Sequence, residues 1–184
     1  MSSLDPRPLI VGNRTGTIQC ATERDAADVL ELMRASASES DFLARHADEL
    51  RITLDQEAEF LREQQVSERH LFLVAELEGR IVGCAHLSGS SLRRFAHTAV
   101  LGISVLRDFW SQGIGRALLQ ATLDWADARG LVRISLEVAE MNVNATRLYE
   151  SCGFVHEGCM RLHRKHGDEY RDSLLMARIR PDAA

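Results

Sequence analysis

Two glycines in the stretch SQGIGRALLQ, Gly113 and Gly115, stand where a strand-like run gives way to strong helix formers. Glycine costs a helix about 1 kcal/mol relative to alanine, so a compensating use is expected. At a helix start, unpaired backbone N–H groups and the helix dipole together attract an anion. Without a β-carbon, glycine lets a phosphate come close to the backbone. On local pattern alone, a tight strand-to-helix turn with nothing bound explains the pair equally well. A Walker A loop is excluded, because Arg116-Ala117 stands where that motif requires Lys followed by Ser or Thr. A dinucleotide fingerprint lacks its third glycine, since position 118 is Leu. Glu137, at the end of the next strand, could still serve as the acidic ribose ligand, so that reading is weakened and stays open. The cysteines Cys20, Cys84, Cys152 and Cys159 form no CxxC pair and no zinc spacing with the histidines. Three or four of them are expected as small buried apolar residues in a reducing compartment, with a catalytic cysteine as the alternative and no metal site.

The elements that must position the glycines can be read from periodicity. A short strand pattern covers Thr17 to Ala21, and a helical stripe follows at Ala26, Val29, Leu30, Met33 and Ala37. The acidic stretch 38–53 predicts loop plus a short helix. A second helix is expected over Leu54 to Ser67, opened by Thr53 and Gln56 as a capping box. LFLVAELE and RIVGCAHLSG flank Gly79 as a hairpin, and HTAVLGISV gives a strand ending at Val105. Ile114, Leu118, Ala121 and Trp125 form the stripe of a long helix that runs to Arg129 and is capped by Gly130. LVRISLEV is a strand, a helix spans Val143 to Ser151, and two strands close the chain around His166-Gly167-Asp168. The order βααβββαβαββ predicts one α/β domain: a mixed central sheet of about six to seven strands with helices on both faces. Its expected bounds are 17–184, after a flexible lead-in over 1–16.

At 184 residues and 45% hydrophobic content, the chain can bury one sizeable core. No apolar run is long enough to span a bilayer, and the first residues lack the basic-then-apolar order of a signal peptide. A cytoplasmic location, without membrane attachment, is therefore expected. The formal net charge of −5 argues against a nucleic-acid partner and leaves room for a cationic small molecule or a basic protein.

Two segments together resemble the GNAT superfamily of N-acetyltransferases. The family's loop Q/R-x-x-G-x-G/A is matched by Trp110-Ser111-Gln112-Gly113-Ile114-Gly115, with tryptophan in the usual Gln/Arg position. The pattern N-x-x-A-x-x-L-Y-E-x-x-G-F is matched from Asn142 to Phe154. With the element order, the resemblance covers about 17–179. The last third, from Gly153 to Ile179, is similar to a branch containing bacterial amino-acid and ribosomal-protein acetyltransferases.

The resemblance implies acetyl-coenzyme A as cosubstrate. Its pyrophosphate would lie on the amides of Gln112, Gly113, Ile114, Gly115 and Arg116, and its pantetheine arm would pair with backbone at Ile103 and Val105. Arg116 would either reach a phosphate or lie solvated, and Trp110 would pack over the loop. Asn142 would be a cofactor-side residue, a helix N-cap, or both. Tyr149 would be the general acid for the departing thiolate; the alternative is a buried ring with its hydroxyl tied to backbone. Glu137 would be the base, or else a strand carboxylate facing solvent or an arginine; His97 is the second candidate, and a water chain could replace both. The acceptor amine would lie between the segment joining the first two helices and the final hairpin. Glu39, Phe42 and Glu49, with Asp41 and Asp48, are offered there, and His163 and His166 lie opposite; the acids could equally be solvated helix residues. The implied activity is acetyl transfer to the primary amine of a small molecule or amino acid. The alternatives are a protein N-terminus of the ribosomal-protein type and a non-catalytic acyl-CoA-binding module. Relatives of this kind also make a homodimer an expectation.

Overall fold

In the computed structural model, which describes residues 4–180, one eight-stranded sheet runs through the chain in the order β1-β2-β3-β4-β5-β6-β8-β7. The strands are β1 (Arg7–Val11), β2 (Arg14–Cys20), β3 (His70–Leu77), β4 (Arg80–Gly89), β5 (Thr98–Val105), β6 (Arg133–Ala139), β7 (Val155–His166) and β8 (Glu169–Ile179). The helices are α1 (Ala26–Glu39), α2 (Leu54–Val66), α3 (Ile114–Ala128) and α4 (Val143–Glu150). All neighbouring strands are antiparallel except β5 and β6.

The run LFLVAEL in β3 is apolar on both sides because both faces of the sheet are covered. Leu71, Leu73, Ala75 and Leu77 join the cluster under α3, with Leu118, Leu119 and Trp125. Phe72 and Val74 point the other way, into a second cluster with Val29 and Leu32 of α1 and Leu61 of α2. The stripe Ile114, Leu118, Ala121 and Trp125 is buried as its spacing predicts. Thr53 and Gln56 form the expected capping box at the start of α2.

The observed sheet has one strand more than expected, and that strand lies in the segment read as lead-in. Leu9 and Val11 of β1 alternate into the α3-side core beside Ile18 of β2. Gly12 and Asn13 make the β1–β2 turn, where Gly12 supplies a positive φ of 60°. Residues 1–3 of that lead-in, and 181–184 of the expected domain, lie outside the described residues.

The β5–β6 pair shapes the site. Its parallel register covers only Thr98↔Arg133, Ala99↔Ile134 and Val100↔Ser135. Beyond these three pairs the strands part, although β5 continues to Val105 and β6 to Ala139. On its other side, β5 stays paired with β4 as far as Gly83↔Val105.

Candidate functional site

The parting of β5 and β6 opens a cleft of about 710 Å³. Its walls include Leu101 to Val105, Glu137 to Ala139, Gly113, Gly115 and Arg116 at the start of α3, Asn142 to Ala145 and Tyr149 of α4, and Phe42 to Ala44. The Leu106 amide donates to Val82 O, which places the residue pair 106/82 in a hydrogen-bonded position of the antiparallel ladder. Alternation along that ladder turns the backbone of Leu101, Ile103 and Val105 away from β4 and toward the gap. Ile103 therefore presents both main-chain groups to the cleft. Val105 presents only its N–H, because the Trp110 indole donates to its carbonyl at 2.7 Å.

The glycine loop ends in a row of unspent donors. Gly113 is the N-cap of α3 with φ 87°, a left-handed conformation that disfavours any residue with a β-carbon. The Ala117 amide makes the first bond of the helix, to Gly113 O. Among the described residues, the amides from Ser111 to Arg116 have no acceptor within the protein. Side chains secure the loop from outside. Gln112 donates to Asp108 O and accepts from Arg14, both at 2.7 Å, and Arg14 also lies over the Phe109 ring. The Gln112 side chain is thus occupied, which leaves its backbone N–H for a ligand. Arg116 bonds to Ser151 Oγ at 2.8 Å and approaches Cys152 Sγ at 3.8 Å. Trp110 stacks on Phe42 at 6.3 Å between ring centroids, with the Arg107 guanidinium over its ring.

Asn142 is the N-cap of α4, with Oδ1 accepting from the Ala145 amide at 3.2 Å, and it also lines the cleft. Two turns further along α4, Tyr149 is 8% exposed and borders the same cleft. Its hydroxyl has no hydrogen-bond partner among the described residues, so the alternative of a phenol tied to backbone is not what the structure shows. Burial pushes its pKa up to about 12, which keeps the phenol protonated at neutral pH.

Leu136 and Val138 enter the core, so strand alternation turns Glu137 to the other face of β6. There its Oε1 lies 3.1 Å from His163 Nδ1 and 3.5 Å from Arg164 Nε. Glu137 therefore both borders the cleft and faces an arginine. An irregularity in the last hairpin puts His163 and Arg164 in reach: β7 advances from Met160 to Arg164 while β8 moves only from Ser173 to Arg171. Leu162 in this bulge has φ 53°, a conformation worth roughly 1–2 kcal/mol of strain for a residue with a β-carbon. Asp172 holds it by accepting the Leu162 amide at 2.7 Å. Bulges commonly re-aim side chains beside active sites. Arg164 also donates to Phe42 O at 2.6 Å and to Ser173 Oγ at 3.2 Å, pinning the α1–α2 segment across the opening.

The acids expected on that segment are not among the residues that line the cleft. Glu39 accepts from the Arg107 amide at 2.9 Å, and Glu49 closes a local capping box on the His46 amide. Asp41 stands 3.8 Å from His166, and Asp48 lies in a 3-10 turn at Ala47–Glu49. Of the expected acceptor-side residues, the cleft takes in Phe42. His97 precedes β5 at the end where β5 and β6 are still paired, and its carbonyl accepts from Val132 and Arg133. It stands apart from the cleft. The lining residues that the sequence reading does not single out include Arg164 and Ser36 of α1, whose buried Oγ has no partner among the described residues. Of the four cysteines only Cys84 is fully buried; Cys20 and Cys152 are partly so, and Cys159 is exposed. Among the described residues, no three His, Cys, Asp or Glu side chains gather as a metal site would require.

Residues 30–154 match the model of the acetyltransferase (GNAT) family, more than half of the sequence, and the chain belongs to that family. This removes the dinucleotide reading, and Leu118, where that fingerprint needs glycine, is fully buried in the core. The [ribosomal protein bS18]-alanine N-acetyltransferase of Escherichia coli K12 is 37% identical over 78 residues, which are 42% of this chain and 53% of that one. The L-amino acid N-acetyltransferase AaaT of the same organism is 31% identical over 109 residues, 59% of this chain and 67% of that one. The chain thus spans about half the length of the first relative and two thirds of the second. A GNAT-family acetyltransferase from Streptococcus pneumoniae superposes with a TM-score of 0.86 at 29% identity, over 89% of this chain and 98% of that one. The Salmonella typhimurium protein yncA, solved with its cofactor acetyl-CoA, shares the fold with a TM-score of 0.79 at 22% identity, over 92% of this chain and 99% of that one.

Proposed function

We propose that the cleft binds acetyl-coenzyme A and that the chain moves the acetyl group to a primary amine. One observation carries this reading: a row of unbonded amides, Ser111 to Arg116, opens directly onto a strand edge whose partner has turned away. A diphosphate on backbone donors at a helix start needs no lysine, which accounts for the absence of one. The unpaired groups of Ile103, with the Val105 N–H, can pair an extended amide-bearing arm as an added strand would. Asn142 borders the same path.

Bound acetyl-coenzyme A supplies a thioester: the amine nitrogen forms a bond to the acetyl carbon, the C–S bond breaks, and coenzyme A leaves as the thiol. Glu137 accepts the proton that the amine gives up. Tyr149 donates a proton to sulfur, and both groups re-equilibrate with solvent after turnover. The buried, unpartnered phenol suits that donation, and the free Oε2 of Glu137 suits the uptake. The acceptor is a small amine or amino acid in this reading. A protein N-terminus is the second acceptor class, favoured by the likeness to the bS18 enzyme.

A thermal-shift titration with coenzyme A, followed by thiol release over a panel of amines, tests the proposal. Stabilisation by coenzyme A with turnover on at least one amine is the expected result. Binding without turnover on any amine would leave a non-catalytic acyl-CoA module, and protection by NAD instead of coenzyme A would overturn the proposal entirely. A cytoplasmic location and a homodimer belong to the same reading. Free thiols at Cys84 and Cys152 support the first, and a sizing column tests the second.

A further inference from the structure

The guanidinium of Arg164 has more donors than the fold uses. Its Nε lies between Ser173 Oγ and Glu137 Oε1, and its Nη1 donates to Phe42 O. Its Nη2 has no partner among the described residues, although the side chain is only 20% exposed. Oε2 of Glu137 is equally unspent. A positive and a negative group thus stand 3.5 Å apart on one wall of the cleft, each with a terminal atom left over. Opposite charges held side by side suit a ligand that carries an amine and a carboxylate on neighbouring atoms.

We propose that the acceptor is a free α-amino acid, held with its amine on Glu137 and its carboxylate on Nη2 of Arg164, its side chain against Phe42 and Leu43. The inference rests on the acetyl-transfer reading and narrows its substrate class. A plain amine offers nothing to Nη2 and leaves that donor without an acceptor. A peptide N-terminus places a neutral amide where the carboxylate belongs. A site built to bond a group discriminates strongly against analogues that lack it. The bulge at Leu162 and its Asp172 anchor turn Arg164 into this position, so the guanidinium belongs to a built site.

The test compares free amino acids with aliphatic, aromatic, acidic and basic side chains, and then the best of these with its carboxamide and its decarboxylated amine. Wild type, Arg164→Gln and Arg164→Lys are assayed by thiol release, and binding is measured by calorimetry with coenzyme A present. Wild type should favour the free amino acid over both analogues by about 100-fold in kcat/KM. Arg164→Gln should lower kcat/KM for the amino acid by at least about 30-fold more than for either analogue, mainly through KM. Arg164→Lys should recover part of the loss, because it keeps the charge without the fork. Equal losses on all three acceptors would reduce Arg164 to a structural tie and overturn the inference, as would a wild-type preference for the carboxamide. Calorimetry separates the two levels. An amino acid that binds through Arg164 but is never acetylated would keep the carboxylate site and overturn acetyl transfer. Turnover of amines irrespective of a carboxylate would do the opposite.

Discussion

Glycine at position 115 is a cost that the fold alone does not explain. A β-carbon there would meet Leu148 Cδ2 at 3.4 Å and Val105 Cγ2 at 4.0 Å, which are ordinary contacts. Gly115→Ala should therefore raise stability by up to about 1 kcal/mol in a denaturant titration. The added methyl narrows the approach to the donor row, so coenzyme A should bind at least about tenfold more weakly, a loss of about 1.4 kcal/mol. Gly113 is different: its φ of 87° strains any replacement whatever the space around it. Tyr149 carries the second prediction at this scale. Tyr149→Phe should lower kcat by about 10²–10⁴-fold while coenzyme A still binds. The pKa near 12 also fixes a sign. Below pH 10 the phenol is protonated both folded and unfolded, and its contribution to stability is complete. Between pH 10 and 12 the unfolded chain ionises while the folded one does not, so stability falls as pH rises. An alkaline unfolding series on wild type and Tyr149→Phe reads this difference directly, with the wild type losing more across that window.

At the scale of elements, the bulged hairpin and the N-terminal hairpin support opposite ends of the cleft. Asp172 accepts the strained Leu162 amide, so Asp172→Ala should cost about 1–3 kcal/mol in thermal or chemical denaturation. It should raise KM for the acceptor with little change in coenzyme A affinity, since the cradle is built by other strands. Arg14→Ala removes the tie to Gln112 and the contact over Phe109, and the reverse split is expected: weaker coenzyme A binding with the acceptor KM unchanged. These supports differ in how far the sequence reveals them. Thr53 and Gln56 lie three residues apart and act on each other's backbone, so the start of α2 is legible locally. Gly79 and Gly130 are legible for the same reason, each completing a turn or cap within a few residues. β1 was obscured because Pro8, Gly12 and Gly16 dilute an alternation that only the α3 side of the core makes meaningful. The bulge left no local trace at all. Leu162 is not a turn residue, and its conformation depends on Asp172 in the neighbouring strand. Arg164 was missed with it, and Glu39 and Glu49 drew attention by charge although both are spent on nearby amides.

At the scale of the whole molecule, the site arises from a sheet covered on both faces whose parallel pair, β5 and β6, comes apart after Val100. That separation is a matter of register between strands far apart in sequence, and no motif encodes it; the glycine loop and the Asn142 to Phe154 pattern mark only the two shores. The fold thereby places an unpaired strand edge, a donor row at a helix start and a protonated phenol around one opening. The donor row is the part on which the coenzyme reading depends. Backbone-amide hydrogen exchange of Gln112 to Arg116, followed by NMR with and without saturating coenzyme A, tests it most directly. The predicted result is slowing of those amides by at least about tenfold, in Gly115→Ala less than in wild type. Coenzyme A that binds while these five amides exchange as fast as before would contradict it.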